Sequence, residues 1–65
     1  MRLRVNGEVR DIEAETVESL LQILSLDRRK VAVERNLEIV PHSLYAQTRL
    51  QDGDALEIVH FIGGG

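Results

Sequence analysis

The chain has no cysteine and no tryptophan, and only one phenylalanine, one tyrosine and one proline among its 65 residues. Each scarcity closes a route. Without thiols there are no disulfide staples and no thiolate metal ligands, so packing alone must hold the fold. Any sulfur chemistry has to use a group other than a cysteine side chain. Two aromatic rings are too few for a base-stacking platform. With 8 basic against 11 acidic residues and a net charge of −3, there is no basic stripe for a nucleic-acid backbone. No apolar run approaches the roughly 20 residues of a membrane helix, and the amino terminus shows no signal-peptide pattern. A cytoplasmic protein with no nucleic-acid or membrane partner is expected. His42 and His60 are the only imidazoles. No Ser/His/Asp or paired-carboxylate spacing and no ligand cluster accompanies them, so neither intrinsic catalysis nor metal binding is expected.

What remains is enough for one small core. A chain of this length buries roughly 60 % of the surface its unfolded form exposes. Its 43 % hydrophobic and 29 % charged residues fit a globular domain. "MRLRVNGEVRDIE" predicts a hairpin: Leu3 and Val5 alternate with Arg2 and Arg4, and Asn6-Gly7 supplies a type I′ turn. The odd spacing from Val9 to Ile12 predicts that the second strand ends or bulges near Arg10 or Asp11. "ETVESLLQILSLD" predicts the only helix, with Thr16 as N-cap and Glu18 at the positive end of the dipole. Val17, Leu20, Leu21 and Leu24 form its apolar stripe, broadened by Ile23. Arg28-Arg29-Lys30 then reads as a solvated connection to the next strand.

"KVAVERNLEIV" places Val31 and Val33 on one face and Ala32 and Glu34 on the other, with a turn near Asn36-Leu37. Leucine is a poor occupant of positive φ, so that turn is expected to be built on Asn36 or to be of another type. Pro41 suits the first position of a short helical turn running through Tyr45 and Ala46. Asp52-Gly53 gives the last turn, and a final strand is predicted from about Ala55 to Phe61. Such an order predicts an α+β fold: a mixed or antiparallel sheet of four to five strands with one main helix on one face. It is the order of the β-grasp, or ubiquitin-like, arrangement. Residues 1–61 are expected to form the domain and residues 62–65 a flexible C-terminal tail.

Strand alternation sends Leu56 and Ile58 to the helix side and Glu57, Val59 and Phe61 to the open face, where Ala32 joins them. Val59 and Phe61, rimmed by Glu57 and Glu34 and extended by Ile62, are therefore predicted to dock a partner. Beyond them Gly63, Gly64 and Gly65 carry no side chains and can reach about 10 Å through a channel too narrow for a Cβ atom. The one reactive group of that tail is the α-carboxylate of Gly65. Ionised, it is inert to nucleophiles. Coupled to a nucleotide it becomes an acyl-adenylate, which a sulfur nucleophile can convert to a thiocarboxylate. The chain has no P-loop or Rossmann glycine pattern, so the ATP must be bound by a partner, and no cofactor is expected on this chain.

"VNGE", "VAVERNLEIVP" and above all "DGDALEIVHFIGGG" resemble the bacterial thiamine-biosynthesis sulfur carriers of the ThiS family, over essentially the whole chain. The resemblance implies that an E1-like (ThiF-like) adenylyltransferase activates Gly65 with ATP. It further implies that a sulfur donor such as a cysteine desulfurase supplies the thiocarboxylate, and that thiazole synthase (ThiG-like) consumes it. The chain would then be a protein co-substrate and not an enzyme. Gly63 is one glycine beyond the minimal Gly-Gly ending, and Asn36-Leu37 departs from the Asn-Gly common at that turn. A molybdopterin-synthase small subunit shares the Gly-Gly thiocarboxylate chemistry, although such chains are usually longer and reach the glycines through a proline-containing segment. A protein-conjugating modifier, or a β-grasp interaction module with an idle tail, would fit the same domain.

Overall fold

The structure, a computed structural model, describes residues 1–61. Five strands, β1 (Arg2–Val5), β2 (Glu8–Asp11), β3 (Val31–Arg35), β4 (Glu38–Val40) and β5 (Ala55–His60), form one sheet in the order β2-β1-β5-β3-β4. The central β1–β5 pair is parallel and the other pairs are antiparallel. One helix, α1 (Val17–Ile23), covers a single face. The mixed sheet with one helix is the architecture the element order predicts.

The first hairpin forms as its sequence dictates. Asn6 and Gly7 both take positive φ (50° and 83°), as a type I′ turn requires. The β1–β2 register runs unbroken from Val5↔Glu8 to Arg2↔Asp11, so β2 ends at Asp11 without a bulge. The Asn6 side chain does more than turn the chain: its amide donates to the Ile58 carbonyl (3.1 Å) and accepts from the Ile58 N–H (2.7 Å). The first turn thereby pins the middle of the last strand.

Helix α1 starts at a capping box. Thr16 Oγ1 accepts from the Ser19 N–H (3.1 Å), and Ser19 Oγ accepts from the Thr16 N–H (2.9 Å). The helix stops two turns later, well before the predicted "SLD". Ser25 adopts φ 60°, the Leu26 N–H reaches back to the Leu21 carbonyl (2.8 Å), and the Ser25 N–H reaches the Gln22 carbonyl (3.0 Å). This pair of bonds is a Schellman stop, which the periodicity alone does not reveal. Val17, Leu20 and Leu21 are buried, and Leu24 packs against them from a partly buried position. Ile23 does not broaden the stripe. It sits in the last turn, off the edge of the buried face, and is 52 % exposed.

Leu3, Val5, Val31, Val33, Val40, Leu56 and Ile58 supply the sheet side of the core, and Tyr45 closes one end. The Tyr45 phenol donates to the Val31 carbonyl (3.3 Å), and burial pushes its pKa up. Pro41 stands one position earlier than predicted, as an extended residue (φ −61°, ψ 144°) capping the short helical turn His42–Leu44.

Two loops differ from the sequence reading. Asn36 and Leu37 both adopt positive φ (52° and 72°), so leucine does occupy the left-handed region. The β3–β4 register, Arg35↔Glu38 through Val33↔Val40, leaves only two residues to reverse the chain. A two-residue loop demands that geometry whatever side chain stands there. Arg28, Arg29 and Lys30 form a short helical turn capped by Asp27, whose carboxyl Arg29 holds down at about 2 through side-chain and backbone N–H bonds. Arg28 is more than a solvated link. It donates to the His42 carbonyl (2.8 Å), pairs with Glu18 (3.3 Å) and lies over the Tyr45 ring at 5.7 Å.

The buried carboxylate of Asp54 joins three segments. It accepts from Arg35 Nε (2.8 Å), Asn36 Nδ2 (3.0 Å) and the Gln51 N–H (2.8 Å). Asn36 in turn accepts from the Ala55 N–H (2.9 Å), so the second hairpin turn is tied to the start of β5.

Candidate functional site

Strand β5 lies between β1 and β3 and leads directly into the residues expected to act. Leu56 and Ile58 are buried beneath the helix, while Glu57 and Val59 face the open side, with Val59 61 % exposed. The register puts Ala32 beside Val59, and Glu34 between Glu57 on β5 and Ile39 on β4. The face is divided by charge. Arg2 and Arg4 are exposed on β1, whereas Glu34 and Glu57 lie toward β4, and neither glutamate joins an ion pair among the described residues. Ile39, 77 % exposed, adds an apolar surface that the sequence reading missed. Its signal was available, because it shares the parity of Ala32 and Val59 once the two-residue turn fixes the register.

Phe61 follows the end of β5 at His60, one residue before the predicted end. Its N–H donates to the Lys30 carbonyl (3.1 Å), continuing the β3–β5 pairing by one bond. The ring is half-buried and meets His42 edge-on, with centroids 6.3 Å apart and planes at 87°. His42 stacks on Tyr45 at 4.8 Å, and its Nε2 lies 2.9 Å from the Val31 carbonyl oxygen. Phe61 is therefore part of a chain of rings running back to the core through His42 and Tyr45. No spacing in the sequence links Phe61 to His42, since the contact depends on how the His42–Leu44 turn folds under β3. His60 is exposed, and with Ile58, Ile23 and Leu26 it borders a shallow hollow beyond the helix end.

Ile62 and Gly63, Gly64 and Gly65, the remaining predicted site residues, lie outside the described residues. Among the described residues there is no cluster of His, Cys, Asp or Glu able to hold a metal, and no helix is long and apolar enough to cross a membrane.

A five-stranded mixed sheet with a parallel central pair, one helix across it and a last strand running into a glycine ending defines a β-grasp domain of the ubiquitin-like class. Comparison with known proteins narrows this. Residues 3–65 match the ThiS family. A crystal structure of the thiamine-biosynthesis protein ThiS from Geobacter metallireducens superposes with a TM-score of 0.83 at 38 % identity, covering 100 % of both chains. The sulfur carrier protein ThiS of Bacillus subtilis is 46 % identical over 50 residues, 77 % of this chain and 76 % of its own. A thiazole synthase of Paramagnetospirillum magneticum is 65 % identical over 66 residues, and one of Magnetococcus marinus 47 %. The chain spans only 20 % of the length of those two synthases. The chain belongs to the ThiS family.

Proposed function

We propose that the chain is a sulfur carrier of thiamine biosynthesis that works through the carboxylate of Gly65. A carboxylate oxygen attacks the α-phosphorus of ATP on an E1-like adenylyltransferase, releasing pyrophosphate. The terminal sulfur of a persulfide, held by a donor such as a cysteine desulfurase, adds to the acyl carbon and expels AMP. A thiol then cleaves the resulting acyl disulfide, forming a new disulfide and freeing the thiocarboxylate. The resulting thiocarboxylate donates its sulfur to thiazole synthase. In this scheme the chain is a co-substrate and its partners hold the ATP and perform the chemistry. The observation carrying the reading is the family match through residue 65, which includes the glycine ending, beside a sulfur carrier at 46 % identity. The two thiazole synthases that contain a segment like this chain support the synthase as a partner.

The test is intact-mass spectrometry of the 65-residue chain after incubation with ATP, the adenylyltransferase and a sulfur donor. The expected product is heavier by the exchange of one oxygen for sulfur, and only when ATP is present. An unchanged mass, or an amide-linked adduct on a lysine of another protein, would sink the proposal.

The docking role of Phe61, Val59, Glu57 and Ile62 belongs to the same proposal. Phe61→Asp places a charge where the ring meets His42 and is expected to weaken binding to the adenylyltransferase by at least about tenfold. The sheet should survive, because Phe61 lies outside the buried core. Affinity equal to the parent chain, measured by titration calorimetry, would remove Phe61 from the interface.

A further inference from the structure

The tip of the β3–β4 hairpin carries a residue that the fold itself does not favour. Leu37 is held at φ 72° and is 89 % exposed. A left-handed backbone is costly for a leucine, and its side chain gains no burial in return. The preceding Asn36 is different: its amide bonds Asp54 and the Ala55 N–H, so its own positive φ has compensation inside the chain. Leu37 has none of this kind. A glycine there would relieve the backbone and remove exposed apolar surface together.

Leu37 is also not isolated. Ile39 stands two residues further on the edge strand, 77 % exposed, and Val59 lies in the next row of the same face. The unpaired Glu34 and Glu57 lie beside them on that face. The complement of such a surface is a protein with an apolar socket bordered by arginine or lysine. Leu37 lies at the opposite end of the β3–β5 pair from Phe61, roughly 20 Å away at about 3.3 Å per residue. A partner gripping both would hold the domain at two separated points.

We propose that Leu37, backed by Ile39, is an anchor that seats this domain on the body of the thiazole synthase, remote from the reactive end of the chain. The assignment rests on the carrier reading above. The synthase is the partner chosen because two relatives carry this sequence as one fifth of a thiazole synthase, which keeps the remaining four fifths permanently beside the domain. The anchor sets orientation and takes no part in the chemistry at Gly65.

The experiment compares the parent chain with Leu37→Gly, both unmodified, by thermal unfolding and by titration against the synthase and the adenylyltransferase. Leu37→Gly is expected to raise the unfolding midpoint by about 4 °C and to weaken binding to the synthase by about tenfold. Binding to the adenylyltransferase should be unchanged. Opposite signs for stability and affinity are the signature, since a residue kept for folding would lose both together. Equal affinity of the two chains for the synthase would overturn the proposal. So would an equal loss toward both enzymes, a fall in the midpoint, or no binding of the parent chain to the synthase. Because binding is read on the unmodified chain, absence of sulfur uptake by the parent chain would bear on the carrier reading alone.

Discussion

Removal of Gly65 from the 65-residue chain is expected to abolish ATP-dependent thiocarboxylate formation, a loss of about a hundredfold or more, and to leave thermal unfolding unchanged. The shortened chain still ends in a carboxylate, on Gly64, so the functional group is not what is lost. Its position is: each residue of extended chain contributes about 3.5 Å of reach. A misplacement of about 1 Å at a reacting centre can already cost a hundredfold in rate. The fold should not respond, because among the described residues the most C-terminal core residue is Ile58 and the last backbone bond joins Phe61 to Lys30. Gly64→Val separates reach from width. It restores full length but adds a branched side chain next to the reacting residue, and it should fail equally if the partner's channel excludes a Cβ atom. Intact-mass measurement with and without ATP reads both variants, and scanning calorimetry confirms the fold. Undiminished sulfur uptake by the chain lacking Gly65 would remove that carboxylate from the mechanism.

The parts of this molecule legible in its sequence are those fixed by neighbours along the chain. Asn6-Gly7 specifies its own turn, Thr16 its cap, and the parity of Leu56 and Ile58 against Glu57 and Val59 separates core from surface. The role proposed for the glycine ending rests on chemistry and not on packing, and those residues lie outside the described ones. What escaped depends on contacts between distant segments. Ile39 became a surface residue only once the β3–β4 register was known, and the contact between Phe61 and His42 only once the turn after Pro41 was placed. Leu37 shows the competition directly. Local preference argues against positive φ for leucine, yet pairing of β3 with both β4 and β5 fixes the strand ends and leaves the turn no alternative. Asp54 escaped for a related reason. In "QDGD" it looks like an ordinary turn residue, and nothing nearby announces that Arg35 and Asn36, some twenty positions earlier, will converge on it.

That convergence gives the largest stability effect expected here. Asp54→Ala should destabilise the domain by about 3 kcal/mol, because it strands a partly buried guanidinium, a side-chain amide and a backbone N–H without their acceptor. In a domain of this size such a loss lowers the unfolding midpoint by more than about 10 °C. The pH dependence follows from the same geometry. Burial alone raises the Asp54 pKa, but hydrogen bonds from Asn36, Gln51 and Arg35 together with the Arg35 charge outweigh it, and the net shift is downward. The unfolded chain, with an aspartate near the ordinary value of about 3.9, then binds more protons than the folded one in the acid range. Stability from Asp54 is therefore fully present above about pH 4 and is lost as pH falls through the lowered folded value. Asp54→Asn keeps the shape but cannot ionise, so its unfolding midpoint should lie below the parent's at neutral pH and fall less steeply in acid. The two melting curves, followed from pH 7 down to about pH 2, should converge. Parallel curves over that range would show that the acid sensitivity of the domain resides in other carboxylates.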